Sequence, residues 1–322
     1  MKRMLSIIAI LALLLCGCAQ EAPPEQELTK VGFSQLGAES DWRVANTDSM
    51  IAALSEENGY ELLYDNARQK QANQLVAVRN FIVQGVDIIV IAPLEETGWD
   101  TVLQEAKNAH IPVIIVDREV AVEDTGRYLT QIGSDFLAEG EQAVSWLEKA
   151  MAQHQGDVSI LHIQGTYGAT AQLLRTKAIE EAVQAHENWH FAAQLPGDFT
   201  ETKGYEVVRD FLAENRDIDV IYSENDNMTF GAMRALDEAG ITYGRGGDVT
   251  IISFDAVRRA LQLCMEGKID LCVECSPLHG PRVDELIRQY LAGEPVPKQI
   301  LVEETIFTPD TLTPEILAQR EY

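Results

Sequence analysis

Ten short apolar runs, spread along the chain from Val31 to Val273, constrain its fold more than any other feature. They fall at 31–34, 61–64, 87–91, 112–116, 128–132, 158–163, 190–195, 219–222, 249–254 and 269–273. Several are β-branched and apolar at nearly every position, as in Ile88-Ile89-Val90-Ile91 and Val113-Ile114-Ile115-Val116. A strand with one face in water alternates polar and apolar residues. A continuous run means both faces are covered, as in a parallel sheet between two layers of helices. The segments between the runs carry helical spacing. Trp99, Val102, Leu103, Ala106 and Ala109 form one stripe, and Ala171, Leu174, Ala178, Ile179 and Ala182 form another. Gly59, Gly85 and Gly240 follow such segments, where a left-handed C-cap favours glycine. Strand and helix in alternation, with right-handed crossovers, give an α/β fold with doubly wound parallel sheets. One sheet of ten strands is unusually wide. The 322 residues, 46% of them hydrophobic, match two domains at about 100–200 residues each. Two Rossmann-like lobes are therefore expected, with the break near Gly133-Ser134-Asp135.

In open α/β sheets, ligands sit beyond the C-terminal ends of the strands. Those positions hold Ser34-Gln35, Ala92-Pro93, Asp117-Arg118, Gln164-Gly165, Glu224-Asn225-Asp226 and Asp255. Carboxylate, guanidinium and carboxamide groups suit a sugar, whose vicinal hydroxyls both donate and accept hydrogen bonds. An aromatic ring covers the apolar C–H face of such a ligand, and Trp42 or Trp99 is placed to do so. Catalysis has weaker support. No G-x-S-x-G elbow, H-E-x-x-H pair or G-x-x-x-x-G-K-[ST] loop occurs. Asp117 and Asp255 have the chemistry of a glycosidase pair, but hydroxyl recognition accounts for them equally well. No catalytic residue is assigned, and no cofactor is implied.

The N-terminus sets the expected compartment. Lys2 and Arg3 precede an apolar run over 4–15 broken only by Ser6. That is too short for a spanning helix of about 20 residues. It reads as a secretory signal over 1–17, ending Leu15-Cys16-Gly17-Cys18 in the manner of a bacterial lipoprotein box. Cys18 is then the lipidated residue, and 18–29, with Pro23-Pro24, is a polar tether. The protein is expected outside the cytoplasmic membrane, anchored by lipid, in the periplasm or at the cell surface. Fifty-one acidic against 25 basic residues, a net charge of −26, disfavour a nucleic-acid partner. Cys272 and Cys275 with His279 have a spacing seen in zinc sites, but residues three apart in a strand point to opposite faces. No metal site is expected. Cys264, Cys272 and Cys275 are read as small buried hydrophobes, with a Cys264–Cys272 bridge as an open alternative.

Together these residues resemble the type 1 periplasmic binding proteins, the family of the ribose-binding protein and the sugar-sensing domains of LacI-type repressors. The resemblance is strongest to galactofuranose-binding proteins of ABC importers. It is carried by Val31-Gly32-Phe33-Ser34-Gln35, Glu39-Ser40 with Trp42-Arg43, and Gln69-Lys70-Gln71 with Asn73-Gln74. Ala92-Pro93, Thr97-Gly98-Trp99, Gly197-Asp198-Phe199-Thr200 and Pro309-Asp310-Thr311 extend it to the C-terminus. The resemblance implies a hinge between lobes, with 30–133 plus 277–300 as lobe 1, 134–276 as lobe 2, and 301–322 as a hinge strand and tail. It implies that Glu39, Ser40, Asp41, Trp42 and Arg43 form a first-loop ligand wall. Asp117 and Arg118 would grip hydroxyls from lobe 1, and Arg175, Asn225 and Asp255 from lobe 2. Asp41 departs from the pattern, which has glycine there, and an extra carboxylate at that point implies a different furanose or a longer saccharide. The implied partners are a small sugar, an ABC permease and its ATPase subunits, with the protein itself a monomer. A LacI-type repressor needs a DNA-binding helix-turn-helix where this chain carries its signal. A sugar sensor facing a membrane receptor and a glycoside-processing enzyme are the rival readings.

Overall fold

The computed structural model describes residues 28–322. The expected signal, the lipidation site Cys18 and all but the last two residues of the tether lie outside them. Among the described residues twelve strands form two six-stranded sheets. The first contains β1 (Thr29–Gln35), β2 (Tyr60–Asn66), β3 (Ile88–Ile91), β4 (Val113–Val116), β5 (Thr130–Ser134) and β11 (Gln299–Val302), in the order β11-β5-β4-β3-β1-β2. All its pairings are parallel. The second contains β6 (Val158–Gln164), β7 (Trp189–Pro196), β8 (Val220–Ser223), β9 (Thr250–Asp255), β10 (Leu271–Glu274) and β12 (Ile306–Phe307), in the order β12-β10-β9-β8-β6-β7. Only β12 runs antiparallel, against β10.

The continuous apolar runs are buried on both faces, as their composition requires. In β3, Ile88 and Val90 join a core with Met50 from the helix Asp41–Ala53 and with Val283 and Ile287 from Gly280–Leu291. Ile89 and Ile91 face the other way, toward Val78 and Phe81 of Gln71–Gln84 and Val102 and Leu103 of Asp100–Asn108. The second sheet repeats this, with Val220 and Tyr222 in one core and Ile221 in the other. Each buried aliphatic side chain contributes about 1.5–3 kcal/mol. Gly85 and Gly240 cap their helices in the left-handed region at φ 64° and 68°.

All ten anticipated strands are present, with ends shifted by a few residues. β11 and β12 are not among the ten apolar runs; the end of β11 and β12 fall in the 301–322 stretch for which the resemblance implies a hinge strand. β11 is a largely exposed edge strand and β12 has two residues, so neither carries the fully apolar signature. The chain passes between the sheets three times: after Ser134, after Glu274 and after Val302. The helix Phe136–Met151 packs on Thr170–Ala185 in the second lobe, and Gly280–Leu291 packs on Asp41–Ala53 in the first. In each sheet the strand order reverses beside its first strand, between β1 and β3 and between β6 and β8. That is where an open α/β sheet opens a crevice for a ligand. Among the described residues no helix is long and apolar enough to cross a membrane.

Candidate functional site

The two crevices face one cavity. From the first lobe it is lined by Glu39, Ser40, Trp42, Arg43, Asp117 and Arg118. From the second come Phe136, Ala171, Arg175, Phe199, Asn225 and Asp255, with Cys275 on the second crossing. At most about 300 Å³ of empty space lies between them. Nine of the ten residues singled out from sequence meet here. The tenth, Asp41, does not: its side chain is exposed, and only its backbone N–H reaches across to Asn227 Oδ1, at 3.0 Å.

Local backbone chemistry explains how these side chains are presented. Ser40 caps the helix Asp41–Ala53, its Oγ accepting from Arg43 N at 3.1 Å. Asn225 caps Asp226–Ala239 the same way, accepting from Met228 N at 2.9 Å and donating to Phe199 O at 3.2 Å. Both caps aim a helix N-terminus, with its partial positive charge, at the cavity. Asp117 and Asp255 occupy equivalent places in the two lobes, the first directly after β4 and the second the last residue of β9, each at positive φ, 66° and 102°. Asp255 lies beyond the region that aspartate adopts readily, a strain of about 1–3 kcal/mol that accumulates at functional sites. Gly133 is needed beside Asp117, because a Cβ there collides with the Asp117 carbonyl. Gly165 likewise leaves room for the ring of Phe199.

Three arginines dominate the charge balance, and each is almost fully buried. Arg43 Nη2 donates to Asp117 Oδ2 at 2.6 Å and its Nε to Glu39 Oε1 at 3.1 Å. Gln35, behind it, accepts from its Nη1 at 3.4 Å. Arg118 holds Leu94 O at 2.9 Å and stands 3.8 Å from both Glu39 and Asp117. Its guanidinium also lies 5.1 Å from the Phe199 ring centroid. Arg175 donates through Nε to Glu139 Oε2 at 2.7 Å and through Nη1 to Glu224 O at 2.6 Å, with Asp255 Oδ1 3.8 Å away. Burying this many charges gains little stability over an apolar core, so their presence marks a site rather than a structural device.

The surroundings shift the two aspartates in opposite directions. Burial pushes the Asp117 carboxyl up, but the guanidiniums of Arg43 and Arg118 outweigh it and hold it below the ordinary carboxylate value. Burial pushes Asp255 well above that value; Arg175 opposes the shift, while Asp226 and Asp117 add to it. Asp117 is therefore held as an acceptor, whereas the surroundings of Asp255 favour its protonated form more than they do that of Asp117. Burial and the charge of Arg43 lower Arg118 to about 10, which leaves it cationic at neutral pH. Two carboxyl groups of opposite pKa shift and three guanidiniums around a small cavity match hydroxyls, each of which both donates and accepts.

Trp42 supplies the aromatic wall, fixed by its Nε1–H to Cys275 O at 2.7 Å. Trp99 is not at the cavity. It is fully buried in a first-lobe core, and its indole N–H is spent on Glu95 O at 2.8 Å. Phe136, Phe199, Ala171 and Cys275 were missed from sequence because apolar wall residues look the same as core residues. Glu139, the partner of Arg175, was missed because it lies within a helix rather than beyond a strand. Cys264, Cys272 and Cys275 are free buried thiols, so the open alternative of a Cys264–Cys272 bridge is not formed. Cys275 Sγ lies 3.3 Å from Ser134 Oγ, while Cys272 lies beside Cys264, so Cys272, Cys275 and His279 do not converge.

Comparison with known proteins agrees with this architecture. Residues 31–294 match the periplasmic binding protein domain. The galactofuranose-binding protein YtfQ of Escherichia coli is 38% identical over 319 residues, covering 98% of this chain and 97% of its own. A Mycobacterium smegmatis protein solved in complex with β-D-fucofuranose has a TM-score of 0.84 at 41% identity, covering 87% of this chain and 91% of its own. The binding component of an arabinose ABC transporter from Shewanella, bound to α- and β-L-arabinofuranose, has a TM-score of 0.84 at 39% identity, covering 91% and 96%. With two parallel-sheet lobes, three crossings and a polar cavity between their strand ends, the chain belongs to the periplasmic binding protein family.

Proposed function

We propose that this protein captures one furanose sugar between its lobes and delivers it to an ABC permease and its ATPase subunits. The observation that carries the reading is the cavity itself: charged groups from both lobes converge on one small space of at most about 300 Å³. Its relatives extend the reading, since furanoses occupy two of the similar solved structures. The exposed position of Asp41 removes the reason to expect a longer saccharide. Asp117 and Arg118 grip hydroxyls from one side, Arg175, Asn225 and Asp255 from the other, and Trp42 covers the C–H face. A ligand held from both sides favours the closed arrangement of the lobes over an open one. The reading is one of binding without turnover, by a monomer.

A thermal-unfolding screen against monosaccharides tests this. A sugar at 100 times its dissociation constant stabilises the folded state by about 2.7 kcal/mol. Sugars with a populated furanose form should raise the midpoint and be recovered intact, and disaccharides should not. No shift with any monosaccharide, or turnover that disappears in Asp117→Asn, would overturn the reading. For the lipid anchor, Cys18→Ser is expected to release the protein from the membrane fraction or leave it unprocessed. Wild-type protein found wholly soluble would count against the anchor.

A further inference from the structure

A second group of ionisable side chains lies behind the cavity, where the three crossings meet. Ser134 belongs to the first crossing, Cys275 and Ser276 to the second, and Glu304 to the third. Glu304 Oε1 accepts from Ser134 Oγ and from Ser276 N, both at 2.7 Å. Its carboxyl therefore ties all three segments together. Glu139, Cys275 and Glu304 each bring a side-chain atom within 4.8 Å of the others. Glu139 Oε2 is occupied by Arg175, but its Oε1 is buried without a hydrogen-bond partner. An orphaned buried acceptor costs about 1–3 kcal/mol. A carboxyl group stands next to it, and Oε2 of that group is left to carry a proton.

We propose that Glu304 is a positioning residue for the sugar site: protonated, it donates to Glu139, keeps Glu139 aligned on Arg175, and so links the crossings to the cavity. The proposal rests on the furanose-binding reading for its effect on affinity, but not for its effect on the protein alone. Two adjacent carboxyls in a low-dielectric setting do not both ionise. Burial, then the charge of Glu139, pushes Glu304 up to about 9. Arg175 already brings a positive charge to Glu139, so the cluster takes a proton rather than a metal ion. The other groups facing it are Asp255 at the end of β9, the Cys275 thiol, Glu274 at the end of β10, and Tyr322 with Arg320 from the tail. Burial raises Cys275 well above its ordinary value, which leaves it neutral.

The sign follows from linkage. The folded, closed protein binds this proton more tightly than the unfolded chain, so the stabilisation is complete below the ordinary glutamate range and is lost as pH rises toward about 9. Glu304→Gln keeps a permanent donor and removes the titration. Between about pH 6 and pH 9, where a group titrating near 9 becomes half ionised, wild-type affinity for a furanose ligand such as L-arabinose is expected to fall about twofold more than that of Glu304→Gln. The window stays below the about 10 of Arg118, which both proteins share. Without any ligand, the wild-type thermal midpoint should fall over the same window more than that of Glu304→Gln. The infrared spectrum near neutral pH should also show a protonated-carboxyl band that Glu304→Gln lacks. Parallel pH profiles and an unchanged carboxyl band would overturn the proposal. Failure of both proteins to bind any furanose would instead overturn the functional reading, leaving the ligand-free measurements to decide this one.

Discussion

Arg43→Ala is expected to cost about 3–5 kcal/mol of stability and to weaken sugar binding more than a hundredfold. The guanidinium bridges Asp117 at 2.6 Å and Glu39 at 3.1 Å, and all three side chains are buried. Its removal strands two carboxylates that lie side by side away from water. Only the more distant Arg118, 3.8 Å from each, would remain to compensate. Asp117, now held below the ordinary carboxylate value by Arg43 and Arg118, would then titrate upward. A depressed carboxyl contributes stability above its unfolded pKa and loses it as pH falls through the folded one. The wild type should therefore lose more stability on acidification than the variant. Arg43→Lys restores charge but not the fork that holds two carboxylates, so its binding should be intermediate. Denaturant unfolding with titration calorimetry measures both effects. Stability within about 1 kcal/mol of wild type would show that the buried pairs are not coupled as described.

Glu224→Ala is expected to be the most damaging single change in the second lobe, although its side chain does not line the cavity. The sequence places Glu224 beside Asn225 just past β8 but outside the set carried by the resemblance, so that its removal is expected to cost binding much less than that of its matched neighbours. The structure buries it completely. Its Oε1 meets His162 Nε2 at 2.9 Å and accepts from Thr176 Oγ1 at 2.6 Å, while Oε2 accepts from Gly165 N at 2.7 Å. Each buried donor left without an acceptor costs about 1–3 kcal/mol. A loss of about 3 kcal/mol or more in denaturant unfolding is therefore expected, with weaker binding following from the displaced Gly165 turn and the Phe199 ring packed on it. A wild-type unfolding curve would mean that water or a neighbour replaces the carboxylate. Asp41→Ala is the suitable control, because that side chain faces solvent.

The fold was legible because a parallel sheet covered on both faces has to be written in unbroken apolar strands. Ile88–Ile91 and Val113–Val116 admit no other comfortable setting. The edge strands were not legible, since Gln299–Val302 is paired on one side and mostly exposed, and Ile306–Phe307 is too short to carry a pattern. The charged part of the site was legible for a related reason: Asp117, Arg118, Asn225 and Asp255 stand at or just past the C-terminal ends of strands, where the sheet geometry sends ligand-facing residues. Trp42 and Trp99 could not be separated by sequence. Each belongs to a helical segment beside a first-lobe strand end, and only the fold turns one toward the cavity and the other into a core. Glu139 was invisible because it lies within a helix, and Glu304 because its role depends on three chain crossings meeting at one point.

The central claim is that one sugar is held from both lobes at once. Titration calorimetry of Arg118→Ala and Asp255→Ala, with Asp41→Ala alongside and circular dichroism confirming the fold, tests it most directly. Charged hydrogen bonds contribute about 1.5–3 kcal/mol each. Arg118→Ala in the first lobe and Asp255→Ala in the second should each weaken binding roughly ten- to a hundredfold, with Asp41→Ala unchanged. Near-wild-type affinity in either of the first two would contradict the two-sided grip and move the sugar to another part of the molecule.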